Sequence, residues 1–302
     1  MSNNQKLSVG IIIPTLNAEQ NLENNLKLID QNQNEVLIVD SYSSDRTLEI
    51  AKKYNCAILM EDNFNHGLTR ERARKVINKD IVVFLTQDAY IKEQDSIDAL
   101  VAPIKDGNAS ISYGRQVPRV GSSIFESFPV YFNYPKTSNI RSIEDIKEYG
   151  VYTFFCSDNF GAYLNCHLDE IGGFEHILTG EDYFACSKLL LNGKKVAYVS
   201  DAVVEHSHSF TLLENFRRYF DTGLVRGERP YIQNLVGHAN KRGAKLTKLF
   251  FKEILDKNPN LIFYAFFEIL SKYIGFKLGF YGHNFLPFKI KKLMSNQKYF
   301  FS

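Results

Sequence analysis

The sequence predicts an α/β fold with a mostly parallel central sheet, and two observations carry that expectation. Four short apolar runs of β-branched character, at 8–13, 35–39, 56–60 and 80–85, alternate with polar stretches of helical length. That alternation is the mark of βαβ units around a buried parallel sheet. The chain also has the material for a substantial core: 302 residues, 44% hydrophobic, with no repeat or low-complexity tract and no linker long enough to act as a tether.

Taken in order, the stretches between the runs predict helices at about 18–30, 45–54 and 67–78. From 107 to 180 the pattern breaks into short pieces rich in aromatics, among them Phe125, Phe128, Tyr131, Phe132 and Tyr134, which predicts loops, short helices and strands walling a pocket. Residues 181–192 read as a helix stopped by Gly193, followed by strands near 195–199 and 202–206. After Ser209 the chain reads as helical to its end.

Charge divides the chain at the same place. Residues 1–210 hold 20 Lys and Arg against 28 Asp and Glu, whereas 211–302 hold 16 against 6, so the net +2 hides parts of −8 and +10. We therefore expect an acidic catalytic unit at 1–210 and a basic, aromatic-rich helical extension at 211–302. The apolar run before Pro14 is too short for a signal-peptide core, so export is not expected. Cys56, Cys156, Cys166 and Cys186 have neither zinc spacing nor disulfide-scaffold density, which suits a reducing, cytoplasmic setting.

Ligands of an open parallel sheet bind beyond the carboxyl ends of its strands, and there the residues are polar: Pro14-Thr15-Leu16-Asn17, Asp40-Ser41-Tyr42-Ser43-Ser44-Asp45 and Thr86-Gln87-Asp88. Asp40 is placed to grip ribose hydroxyls or a base edge, while Asp45 reads either as a ligand contact or as a helix cap. Glycine-rich dinucleotide and P-loop motifs are absent, so phosphates need another partner, and a divalent metal on Asp88 supplies one. Arg70, after Asn65-His66-Gly67, can bind a phosphate or a sugar hydroxyl bidentately. Glu181 and Asp182 open a helix, where neighbours point about 100° apart, so one faces the reaction and the other orients it. The plainer alternative is the preference of acids for a helix start. His206 and His208, two apart beyond a strand, can complete the metal site with Asp88.

These pieces, in this order, resemble glycosyltransferase family 2 and its bacterial rhamnosyltransferase branch. The matching segments include IIIPTLNAEQNL, VLIVDSYSSDRTLEIA, FNHGLTRERAR, FLTQDAY, EIGGFEHILTGEDYFACSKLLLNGKKVAYV and EHSHSFTLLENFRRYFDTG. The resemblance implies a GT-A fold, an inverting displacement, a nucleotide-sugar pocket built from Pro14, Thr15, Asn17, Asp40, Ser43, Arg70, Gln87 and Asp88, and a Mg2+ or Mn2+ ion. It implies Asp182 as the base and Glu181 as its support, and it divides 1–210 into a donor half at about 1–105 and an acceptor half at about 106–210. Asp88 would be the second acid of the family's Asp-x-Asp motif, with Thr86 in place of the first. The branch implies dTDP-L-rhamnose as donor, with a UDP-hexose or UDP-N-acetylhexosamine as the alternative, and a glycan or polyprenyl-linked acceptor.

The run 261–281 looks like a membrane span until Glu268, Lys272 and Lys277 interrupt it. With the lysines of 241–252 and 289–292 around it, 240–302 reads as an interfacial arm for the cytoplasmic membrane face or as packing against the catalytic unit. Its phenylalanines favour core or lipid, and nucleic acid is not expected. The rival readings are a nucleotidyltransferase, which lacks its glycine-rich loop here, and a non-catalytic nucleotide-sugar-binding protein.

Overall fold

A computed structural model describes residues 7–237 and 241–301. The initial MSNNQK, which enters the export reading, and Asn240 and Ser302 of the arm lie outside the described residues. The strands are β1 Val9–Thr15, β2 Asn34–Asp40, β3 Ala57–Met60, β4 Ile81–Leu85, β5 Tyr90–Ile91, β6 Ile111–Val117, β7 Asn139–Arg141, β8 Phe160–Leu164 and β9 Val196–Glu205. They join one sheet in the order β3-β2-β1-β4-β8-β6-β9-β5, with β7 pairing β9 off that path. β1, β2, β3, β4, β6 and β9 run one way, so most strands are co-directional, while β8 runs against its neighbours β4 and β6.

Period-two alternation divides the apolar runs between two layers. Ile12, Leu37, Val39, Val82 and Phe84 face the helices His66–Ile77 and Glu181–Leu191, meeting Ala73, Ile77, Phe184 and Leu189. Ile11, Ile13, Val36, Ile38, Val83 and Leu85 face the opposite way, against Leu22 and Leu26 of the helix Leu22–Leu28 and Ile97, Leu100 and Ile104 of the helix Ser96–Lys105. Each such side chain, fully buried, contributes roughly 1.5–3 kcal/mol.

Two details differ from the sequence expectation. The strands expected near 195–199 and 202–206 are the single strand β9, whose pairing with β6 jumps from Gly114↔Val199 to Arg115↔Val203. A bulge absorbs the extra residues, and a Cβ on Gly114 would lie 2.6 Å from the Ala202 carbonyl oxygen. The helix Ser96–Lys105 is also a regular element where no pattern pointed to one; Pro103 lies inside it and disguises it, whereas β6 falls in the stretch 107–180 expected to hold short strands.

Beyond β9 the chain is helical. Helix Leu212–Glu228 packs on helix Ile262–Gly282 through glycines at backbone distance: Cβ atoms on Gly223 and Gly279 would lie 2.2 Å and 2.1 Å from the carbonyl oxygens of Phe276 and Phe220. A separate cluster of Phe250, Ile254 and Ala265 with Phe125 and Phe128 ties the arm to the helix Ile124–Asn133. The arm thus packs on the body, yet it leaves large apolar side chains outside, with Phe263 76% and Phe285 70% exposed. Among the described residues no helix is long and apolar enough to cross a membrane.

Candidate active site

The carboxyl ends of β1, β2, β4, β6 and β9 meet at one edge of the sheet, and antiparallel β8 brings its amino end to the same edge. Residues from six strands therefore converge. At β1 and β2, the buried Asp40 carboxylate accepts hydrogen bonds from the hydroxyls of Thr15 (2.8 Å) and Ser43 (2.6 Å) and from the Ser43 amide (2.8 Å). Pro14 stands next to Thr15 within β1. Asn17 adopts φ 52°, a left-handed turn that asparagine tolerates, donates its amide to Ser43 and accepts from the Ser44 amide. Gln87 holds this turn from β4, its Oε1 accepting from the Leu16 amide at 2.8 Å and its Nε2 donating to the Leu16 carbonyl at 3.2 Å. Asp45, just ahead of the helix Thr47–Lys53, accepts from the Thr47 amide and hydroxyl and from the Glu19 amide at 3.0 Å, so its carboxylate is spent within the protein.

Asp88, His206 and His208 form the cluster expected of a metal site, with one ligand atom from each within 4.8 Å of the others. His208 Nε2 lies 3.1 Å and His206 Nε2 3.6 Å from an Asp88 carboxylate oxygen. Burial opposes the Asp88 charge, but the two imidazoles outweigh it and hold the carboxyl well below the usual range. His206 turns its Nδ1 to the Gln116 Oε1 at 3.0 Å and to the Asn159 amide nitrogen at 3.2 Å. The Gln116 oxygen can only accept and the Asn159 amide nitrogen only donate, so Nδ1 serves one of them at a time; in either state the ring is held with its Nε2 toward Asp88. One carboxylate and one directed imidazole, with a second imidazole beside them, are a donor set that fits a divalent cation. Thr86, in place of another acid, leaves a buried hydroxyl without a partner.

The second cluster is carboxylate-rich. Asn65 caps the helix His66–Ile77 through its Oδ1 and donates to the Ile177 carbonyl at 3.0 Å, which ties that helix to the loop before Glu181. Gly180, at φ 78°, then turns the chain into the helix Glu181–Leu191. Arg70 sits beneath this junction, 4% exposed, with Nε 3.1 Å from Asp158 and Nη1 3.1 Å from Glu181. Expected to face a ligand, it instead spends its guanidinium on two carboxylates and the His66 carbonyl. Burial works against the Glu181 charge, but Arg70 and His66 keep its carboxyl low. Asp182 is half-buried and points elsewhere, accepting from the Asp158 amide at 3.3 Å. Burial and then the charges of Glu181 and Asp158 push its carboxyl well up. Asp158 accepts from the Tyr163 hydroxyl at 2.6 Å, and burial lifts it to about 7 despite Arg70.

Asp158 and Asn159 join the two clusters, one touching Asp182 and Arg70, the other His206. Sequence reasoning missed both, along with Gln116 and Tyr163. The signal was present in Ser157-Asp158-Asn159 before an apolar run, but it needed the antiparallel sense of β8 to be placed at this edge.

Residues 10–165 match the glycosyl transferase family 2 pattern. The chain is 36% identical to the O-antigen chain rhamnosyltransferase RfbN of Salmonella typhimurium over 281 residues, 90% of each chain. It is 35% identical to the O-antigen chain rhamnosyltransferase WbaN of Salmonella anatum, covering 90% of this chain and 89% of that one. In fold it is similar to Staphylococcus aureus TarS 1-349 in complex with UDP-GlcNAc (TM-score 0.56, 16% identity, 92% of both chains). It is also similar to the mannosyltransferase PcManGT of Pyrobaculum calidifontis in complex with GDP-Man and Mn2+ (TM-score 0.55, 15% identity, 94% of this chain and 86% of that one). With this sheet, this site and these relatives, the chain belongs to glycosyltransferase family 2, as a GT-A glycosyltransferase.

Proposed function

We propose that the protein is an inverting rhamnosyltransferase of cell-surface polysaccharide synthesis, moving L-rhamnose from dTDP-L-rhamnose to a hydroxyl of a glycan carried on a polyprenyl lipid. The observation that supports the mechanism is the bridge of adjacent residues Asp158 and Asn159, one in contact with Asp182 and the other with His206 of the Asp88–His206–His208 cluster. The two rhamnosyltransferase relatives support the donor.

In this reading Asp182 accepts the proton of the acceptor hydroxyl, and the oxygen forms its bond to the anomeric carbon on the face opposite the diphosphate. The anomeric C–O bond to the diphosphate breaks and its electron pair leaves with the nucleotide, so configuration inverts. General-base help of this kind is typically worth 10²–10⁴ in rate, on the order of 3–5 kcal/mol. Glu181, held by Arg70, orients the helix start and keeps a negative charge next to Asp182 that strengthens it as a base. Pro14, Thr15, Asn17, Asp40, Ser43 and Gln87 shape the nucleotide pocket, with Asp40 acting through the hydroxyls it anchors. Asp88, His206 and His208 would hold Mg2+ or Mn2+, which when bound neutralises charge on the leaving diphosphate. Residues 1–210 form the catalytic unit in this reading, and 211–302 its extension.

We assign the outward aromatic side of the arm to the cytoplasmic face of the membrane. Phe263, Phe266, Phe267, Tyr281, Phe285 and Phe288 are each more than half exposed, and Lys289, Lys291 and Lys292 stand nearby in the chain. Vesicles containing anionic lipid should carry the protein upward in a flotation gradient, and Phe263→Glu with Phe285→Glu should abolish this; equal flotation refutes the assignment. The donor is tested by a thermal-shift and hydrolysis screen of nucleotide-sugars with and without Mn2+. Stabilisation by dTDP-L-rhamnose that depends on metal supports the reading, and preference for a UDP-sugar contradicts it.

A further inference from the structure

Two cavities lie side by side between the metal cluster and the C-terminal segment. The first, about 570 Å3, is lined by Asn159, His206 and His208 of the site and extends to Arg218 and Tyr219. The second, about 620 Å3, starts from that same Arg218 and Tyr219 and runs past Thr179 and Arg226 to Asn296 and Gln297. Because the shared residues stand on the boundary, the two form one cleft. It opens on the catalytic cluster at one end and on the C-terminal segment at the other, and each part falls in the roughly 300–1,000 Å3 range of ligand pockets.

The C-terminal segment is pinned in place. The Asp221 carboxylate accepts the Asn296 amide at 2.9 Å, Phe301 is buried in the main core, and the Phe300 ring stacks on His176 with centroids 4.8 Å apart. His176 lies on the loop that leads to Thr179 and Glu181, so the segment also braces the approach to the catalytic helix. The lining mixes hydrogen-bond donors with aromatic and aliphatic faces. Among the described residues neither Arg218 nor Arg226 has a carboxylate within 4 Å. They are paired with aromatic faces instead, Arg218 over Phe210 at 4.2 Å and Arg226 over Tyr183 at 4.7 Å. Guanidinium and amide groups offer planar donors to vicinal hydroxyls, and the part-exposed Tyr219 ring offers an apolar face to sugar C–H groups.

We infer that this cleft is the subsite for the acceptor glycan, and that Asn296 and Gln297 form its far wall, contacting sugar hydroxyls together with Arg226. The inference rests on the sugar-transferase reading and extends it to a site 114 positions along the chain from Asp182, counted to Asn296. Saturation-transfer NMR on the full chain tests it, with p-nitrophenyl α-glycosides of galactose, mannose, glucose and rhamnose as probes. At least one glycoside should give a signal with the unaltered protein and with Asp182→Asn, weakened at least fivefold by Arg226→Gln and by Gln297→Ala, two variants on different elements with melting temperatures kept as controls. Equal signals in both cavity variants, or no signal from any glycoside with the unaltered protein, would overturn it. The donor reading is scored separately by the dTDP-L-rhamnose thermal shift. Loss of that shift with cavity-dependent glycoside binding sinks the donor and supports the subsite; an intact shift with cavity-independent binding does the reverse.

Discussion

Replacing Arg70 by Gln removes the guanidinium that lies between Asp158 and Glu181, each 3.1 Å away, while keeping a polar side chain of moderate size. All three groups are more than nine-tenths buried. Breaking a buried pair from one side leaves uncompensated charge and costs about 3–5 kcal/mol. With an unfolding entropy of roughly 2.1 cal/mol/K per residue, a chain of this size loses about 5–8 °C in melting temperature. The sign of the pH dependence follows from the two acids. Glu181 is held below its ordinary value of 4.5, so its stabilisation is present above that value and is lost as pH falls through the folded one. Asp158 is raised to about 7 from 3.8, so its ionisation opposes folding as pH rises, and without Arg70 that opposition grows. Differential scanning calorimetry should therefore find a deficit at pH 5, where the pair with ionised Glu181 is lost, and a larger one at pH 8, where Asp158 adds to it. A loss under 2 °C at pH 8, or an equal loss at both, refutes the claim that Arg70 holds the carboxylate cluster together.

Gln116→Leu removes one of the two side chains that hold the His206 ring at Nδ1 and should weaken Mn2+ binding roughly 10–100-fold by isothermal titration; unchanged affinity would mean the ring is oriented without it. Gly279→Val places a side chain where a Cβ already lies 2.1 Å from the Phe220 carbonyl oxygen, so the two long helices must separate and the melting temperature should fall by at least 3 °C. Because Asp182 must be ionised to accept a proton and its carboxyl is raised, kcat/KM should decline as pH falls through a point well above the ordinary 3.8. An acid limb centred at or below pH 4 assigns the base elsewhere.

The amino-terminal part of the sheet was legible in the sequence because β1, β2 and β4 are apolar runs that end in polar residues, as Ile11–Ile13 before Thr15 and Val83–Leu85 before Gln87 show. His206 and His208 were found by their spacing beyond a strand. Asp158 and Asn159 were not, since they precede their strand, and only pairing of β8 against β4 turns a strand start toward the site. Arg70 was recognised as important but given the wrong surroundings in prospect: sequence spacing puts it near the sheet edge, whereas its burial under Glu181 depends on Asn65 and Gly67 drawing its helix against the loop at 175–177. The glycine-mediated pairing of the arm was also hidden, because hydrophobicity marks Ile262–Gly282 as apolar without saying which face is covered.

The central claim is that Asp182 takes the acceptor proton. Asp182→Asn keeps the shape and the hydrogen-bonding capacity toward the Asp158 amide while removing the basic oxygen. Rhamnosyl transfer from dTDP-L-rhamnose to lipid-linked glycan should fall at least tenfold, with the donor's thermal shift unchanged; near-normal transfer would contradict the account.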